Sequence, residues 1–178
     1  MNTALFREPL LEELRNWIDA QAQFVLILPA LCRAVRVRDL RKLLERQETR
    51  IARQMRSSQQ IFEAFSVTAN DGNNPAVRAI VQDLLALLQH KEEGNPTCRN
   101  ARILSLLRQA GHLQMATLRS VMLLCHLLED RDTERMLETF LQEEIEGDRT
   151  LAELAPHVLW WCAAHRPEES WKSAFPPS

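Results

Sequence analysis

The stretch LRKLLERQETRIARQMRSSQQIFEAF, Leu40 to Phe65, decides the reading of this chain. Its apolar residues Leu40, Leu44, Ile51, Met55, Ile61 and Phe62 recur at helical spacing, so they line one face of an α-helix. The run holds no glycine or proline, and its leucines, arginines, glutamates and glutamines are good helix formers. The stripe is interrupted in its middle. Gln47, Gln54 and Ser58 fall where the period calls for apolar side chains, with Arg50 beside them. A long amphipathic helix with a polar centre on its buried face is the pattern from which the rest follows.

The same period runs through the flanking sequence. A first helix is predicted from about Pro9 to Ala34, with Leu11, Leu14, Ile18, Val25, Leu28 and Leu31 inward and a kink or break at Pro29. The second spans about Val37 to Phe65. TANDGNNP (Thr68 to Pro75) reads as a loop, a shorter helix follows to about His90, and KEEGNP is a second break. A third long helix runs from Pro96 or Thr97 to Leu128. A fourth starts near Asp132, with Thr133 as its cap, and is expected to kink or stop at Pro156. Two long helices, a crossover carrying a short helix, and two more long helices describe an all-α, ferritin-like antiparallel four-helix bundle. The expected division is a bundle over residues 1–165 and an irregular tail over 166–178. Trp160, Trp161, Trp171 and Phe175 are candidates for a dimer or docking surface, because aromatic residues cluster at interfaces.

Composition narrows the function classes. At 178 residues the chain fits one domain with a full core. A net charge of -2 makes no general case for nucleic-acid or membrane partners. Nine basic residues lie between Arg33 and Arg56, and ten acids between Glu129 and Glu153. Without interleaved aromatics the basic helix reads as a solvated face, not a nucleic-acid site, and the two charged helices are suited to attract each other within the bundle or across a homodimer. Cys32, Cys98, Cys125 and Cys162 form no CxxC pair and read as free thiols. The start of the chain lacks the apolar stretch of a signal peptide, and no uncharged run is long enough to span a bilayer, so a cytoplasmic location is expected. Four glycines, no GxSxG, no phosphate loop and no HExxH leave no signal for nucleophilic, nucleotide or zincin chemistry.

Every long helix carries polar groups into its apolar stripe near the middle: Gln21 in the first, Gln47, Arg50 and Gln54 in the second, Gln114 in the third, Glu144 and Asp148 in the fourth. Buried polar groups need partners, so the coincidence predicts one connected layer at mid-bundle. The metal-binding version of this architecture builds that layer from glutamates and histidines. An amide oxygen is a weak neutral ligand and a guanidinium repels a cation, so neither a cofactor nor a catalytic residue is expected. The alternative is an atypical iron or manganese oxidase, or an iron-handling protein, using His112, Glu143, Glu144 and Asp148. Arg50 either pairs with Glu144 in the place of the metals or reaches outward.

These segments resemble the YciE/YciF-type family of ferritin-like bacterial proteins. LRNWIDAQAQFVLILPAL is similar to its first-helix pattern LxDLYDAExQLxxALPKM, sharing Asp19, Ala20, Gln23, Leu28 and Pro29. The second helix shares Leu40, Gln54, Ile61, Phe62 and Glu63, the third His112, Ala116 and Leu118, and the fourth Glu143, Glu144, Asp148, Leu151 and Leu154. The resemblance covers about Leu10 to Ala155 and implies a stress-associated protein of undefined activity. It also implies metal ligands, and these are mostly replaced. The family's first-helix glutamate falls on Gln21, its second-helix histidine and glutamate on Gln47 and Arg50, and its third-helix glutamates on Gly111 and Gln114. The expected protein is therefore non-enzymatic and metal-free, structural or stress-associated, and self-associating.

Overall fold

The computed structural model describes residues 3–69, 72–89 and 96–164, and among them all regular structure is helical. A 3-10 turn (Thr3–Phe6) leads into α1 (Arg7–Ala34), followed by α2 (Arg38–Ala64), α3 (Pro75–Gln89), α4 (Pro96–Leu127) and α5 (Arg131–Ala164). The boundaries lie within a few residues of those read from periodicity. The expected tail, with Trp171 and Phe175, lies outside the described residues.

Of the kink or break expected at each of two prolines, the break does not occur. α1 continues through Pro29 and α5 through Pro156 without interruption. A proline removes one backbone hydrogen bond. Here the buried Ile27, Leu28 and Leu31 around Pro29, and Leu151 and Val158 around Pro156, hold the helices together by packing. Thr133 is not the cap of α5 either. Asp130 takes that role, its Oδ1 accepting from the Thr133 backbone N–H at 3.1 Å.

The helix ends explain how so few glycines suffice. After α2, Ser66 takes a left-handed φ of 54°, and the Val67 N–H donates to Phe62 O at 3.0 Å. After α4, Glu129 takes a φ of 60°, and the Asp130 N–H donates to Cys125 O at 3.0 Å. Both are the six-to-one closure usually built on glycine. Gly72 is used differently. A Cβ there would stand 2.2 Å from Arg15 O, so only glycine lets this loop lie on α1. The neighbouring N–H groups of Asn73 and Asn74 donate to Asn16 Oδ1 (3.0 Å) and Asp19 Oδ2 (2.8 Å).

α1 packs against α2, α3 and α4, and α5 packs against α4 and α2. The start of α1 lies beside the end of α2, where Arg7 donates to Phe65 O at 2.6 Å. The apolar interior forms two clusters. One contains Leu28, Leu31, Leu40, Leu44, Leu84 and Ile103. The other contains Leu10, Leu14, Trp17, Phe62, Leu118 and Phe140, with the Trp17 and Phe140 rings stacked 5.5 Å apart. In the sequence of each long helix, one of the buried polar residues Gln21, Gln54, Gln114 and Glu144 falls between members of these two sets, while Asn100 and Thr133 are buried near the starts of α4 and α5.

Candidate functional site

Gln21, Gln54, Gln114 and Glu144 are all buried, one from each long helix. Helical periodicity put each of them on an inward face, which is why four separate stripes deliver amides and a carboxylate to one level. The Gln21 amide donates to Gln54 Oε1 at 3.1 Å, and the Gln54 amide donates to Glu143 Oε2 at 2.8 Å. Arg50 enters from α2 with its side chain only 12% exposed. Its guanidinium donates to Glu144 Oε2 at 3.0 Å, to Gln47 Oε1 at 2.8 Å, and to the backbone carbonyl of Glu143. Gly147 makes room for it, since a Cβ there would stand 3.0 Å from an Arg50 nitrogen.

The layer is less uniform than its sequence pattern. Asp148 borders the same central cavity, but its carboxylate belongs to a separate cluster with α4. Arg108 Nε and an Arg108 terminal nitrogen donate to its two oxygens at 2.8 and 3.3 Å, and His112 Nε2 lies 3.4 Å away. Gln114 faces the cavity without a protein hydrogen-bond partner for either amide atom. The sequence reading also missed Arg53, which donates to Glu143 Oε1 at 2.5 Å, and Arg108. Both are arginines on the flanks of their helices, where spacing alone does not distinguish a paired charge from a solvated one.

Burial pushes the Glu144 carboxyl above its ordinary range, against the opposing pull of Arg50 and a hydrogen bond from Gln21. The hydrogen bond from Arg108 holds Asp148 below its ordinary range, outweighing partial burial. The cavity between the four helices measures about 30 Å³ and is walled by Phe24, Ile51 and Leu107 as well as by the polar groups.

The donor set does not match what a pair of metal ions requires. A di-metal centre needs several hard anionic oxygens to bridge and neutralise its cations. Here the central positions carry three neutral amides, one carboxylate and one guanidinium held against that carboxylate. The four residues of the alternative reading do not converge. Glu143 is engaged by Gln54 and Arg53, Glu144 by Arg50, and His112 with Asp148 forms the outer cluster beside Arg108. Among the described residues, no three His, Cys, Asp or Glu side chains come together as a metal site.

These features define an all-helical protein whose apolar interior is divided by a buried layer of amides and one ion pair. The chain belongs to the family described as Domain of unknown function (DUF892), the YciF-type family, which matches residues 6–160. Its fold is that of the Escherichia coli stress protein YciF, at a TM-score of 0.79 and 19% identity over 86% of this chain and 96% of that one. YcfI from Rhodopseudomonas palustris, described as a protein of proposed structural role, aligns at a TM-score of 0.76 and 22% identity, covering 83% of this chain and 92% of that one. No curated protein matches the sequence significantly.

Proposed function

We propose that this chain is a non-enzymatic, metal-free structural or stress-associated protein, built as a ferritin-like antiparallel four-helix bundle with α3 as the extra helix of the crossover. One observation carries the reading. The Arg50 guanidinium lies 3.0 Å from Glu144, in the buried layer where the family resemblance would put metal ligands. A guanidinium is a permanent cation with fixed geometry, so it neutralises the buried carboxylate without any redox or Lewis-acid chemistry. The descriptions of YciF as a stress protein and of YcfI as a protein of proposed structural role agree with this class.

Self-association and a cytoplasmic location belong to the same reading. Leu26, Leu159 and Trp160 are 82%, 54% and 69% exposed, and large apolar side chains left in water suit an interface. Among the described residues no helix is long and apolar enough to cross a membrane. The test is elemental analysis and analytical ultracentrifugation of protein purified after growth with added iron and manganese. Substoichiometric metal and a species larger than the monomer are expected. Stoichiometric metal that disappears in Glu144→Ala would overturn the metal-free reading in favour of an iron or manganese site.

A further inference from the structure

The centre of the molecule contains a polar demand that its own side chains do not meet. Gln114 is 4% exposed, and both its amide nitrogen and its amide oxygen lack a hydrogen-bond partner in the protein. Arg50 Nε is likewise buried and without one. Both residues line the cavity of about 30 Å³ between the four long helices. A buried amide left with neither donor nor acceptor satisfied is costly, by about 1–3 kcal/mol for each group. Native interiors meet such demands with ordered water when the space is polar and large enough.

The dimensions select the ligand. One water needs at least roughly 10–15 Å³ by this measure, so a cavity of about 30 Å³ has room for no more than about two waters and excludes any organic cofactor. The charges select it again. Arg50 is set against Glu144, Arg53 against Glu143, and Arg108 against Asp148, so the surrounding formal charge cancels in pairs. A neutral ligand that both donates and accepts matches a free amide oxygen and a free amide N–H.

We infer that the cavity is a built hydration site holding one or two long-lived waters, anchored by the Gln114 amide and bridging it to the Arg50–Glu144 pair. The site stands on Gln114 and the cavity, independently of the role proposed for the protein. Gln47 and Arg50 line both this cavity and a surface groove of about 530 Å³ between α2 and α5, with Gly147 on the groove wall. The bound water therefore exchanges with bulk past the Arg50 side chain.

Magnetic relaxation dispersion of water oxygen-17 counts waters that stay inside a protein longer than its rotational tumbling. The expected result is a loss of one or two such waters in Gln114→Leu relative to the native chain, and faster exchange in Arg50→Ala. A high-resolution crystal structure of the native chain tests the same point without a variant. Water density within hydrogen-bonding distance of both Gln114 amide atoms supports the inference. An unchanged count in Gln114→Leu, or a metal ion or protein atom at that position in the crystal, overturns it.

Discussion

Replacing Arg50 with alanine is the most informative perturbation of this protein. The substitution removes the hydrogen bonds to Glu144 Oε2, Gln47 Oε1 and the Glu143 carbonyl, and leaves Glu144 buried with the Gln21 amide as its remaining support. Both partners are well covered, their side chains being 12% and 7% exposed, so solvent screening does little to soften the loss. Breaking a buried pair from one side costs about 3–5 kcal/mol. For a chain of this size that is a fall in Tm of about 6–20 °C. The loss also depends on pH. Burial already raises the Glu144 carboxyl above its ordinary value of 4.5, and without Arg50 it rises further, so at pH 5 the variant escapes part of the cost by taking up a proton. The destabilisation measured by urea unfolding is therefore larger at pH 8 than at pH 5. Arg50→Met combined with Glu144→Leu removes both charges and is expected to recover the native value to within about 1 kcal/mol. An Arg50→Ala protein with native stability at pH 8 would show that the pair is not coupled and refute the reasoning.

Four further outcomes follow from the geometry. For Glu144→Gln the sign is set by the raised carboxyl. Its contribution to native stability is fully present below the ordinary value of 4.5 and lost as pH rises through the raised one, so the variant should lose less stability than the native chain between pH 4.5 and 8, as read by urea titrations. Glu129→Gly relieves a left-handed φ of 60°, offset in part by the freer unfolded chain, and should add about 0.5–1 kcal/mol, whereas a lower Tm would discard the assigned helix end. Gly72→Ala places a Cβ 2.2 Å from Arg15 O and must lift the loop off α1. The expected cost is about 2 kcal/mol, seen as a lower urea midpoint. Cys125 is fully buried and its thiol is pushed up to about 12 by burial, then by Asp130 and Glu134. Site-resolved mass spectrometry should find it unlabelled by iodoacetamide at pH 8 until the chain unfolds; rapid labelling of the native protein contradicts that placement.

Much of this architecture was legible because α2 is a long helix with a clean apolar stripe, and polar intrusions into such a stripe are conspicuous. Gln21, Gln54, Gln114 and Glu144 could be assigned to the interior on spacing alone, and all four are buried. Asp148 shows the limit of that method. One turn beyond Glu144 it shares the same face, yet the Arg108 side chain draws its carboxylate toward α4. Periodicity fixes the direction of a Cα–Cβ bond, not the partner that a flexible side chain finds. The breaks expected at Pro29 and Pro156 failed to occur for a related reason. Local rules count the one hydrogen bond lost at Pro29 or Pro156, while the apolar packing that outweighs it comes from distant sequence. The reversals after α2 and α4 were placed by where the apolar stripes stop, but the left-handed backbone at Ser66 and Glu129 carried no glycine to announce it. Gly72 did carry a turn signal, but its close approach to Arg15 depends on where α1 lies.

The division of the interior has a consequence for alignment. A strip of leucines tolerates sliding, because each apolar contact resembles its neighbour one turn away. Charged and amide groups matched to particular carboxylates do not: Arg50 faces Glu144, and Arg53 and Gln54 meet Glu143. Moving α2 along α5 by one turn, about 5.4 Å, would pull Arg50 off Glu144 and forfeit the match over Gly147. These contacts together work as an indexing pin between two rods lined by apolar side chains. Removing the pin from both sides should leave a stable protein whose NMR spectrum shows more than one helix alignment.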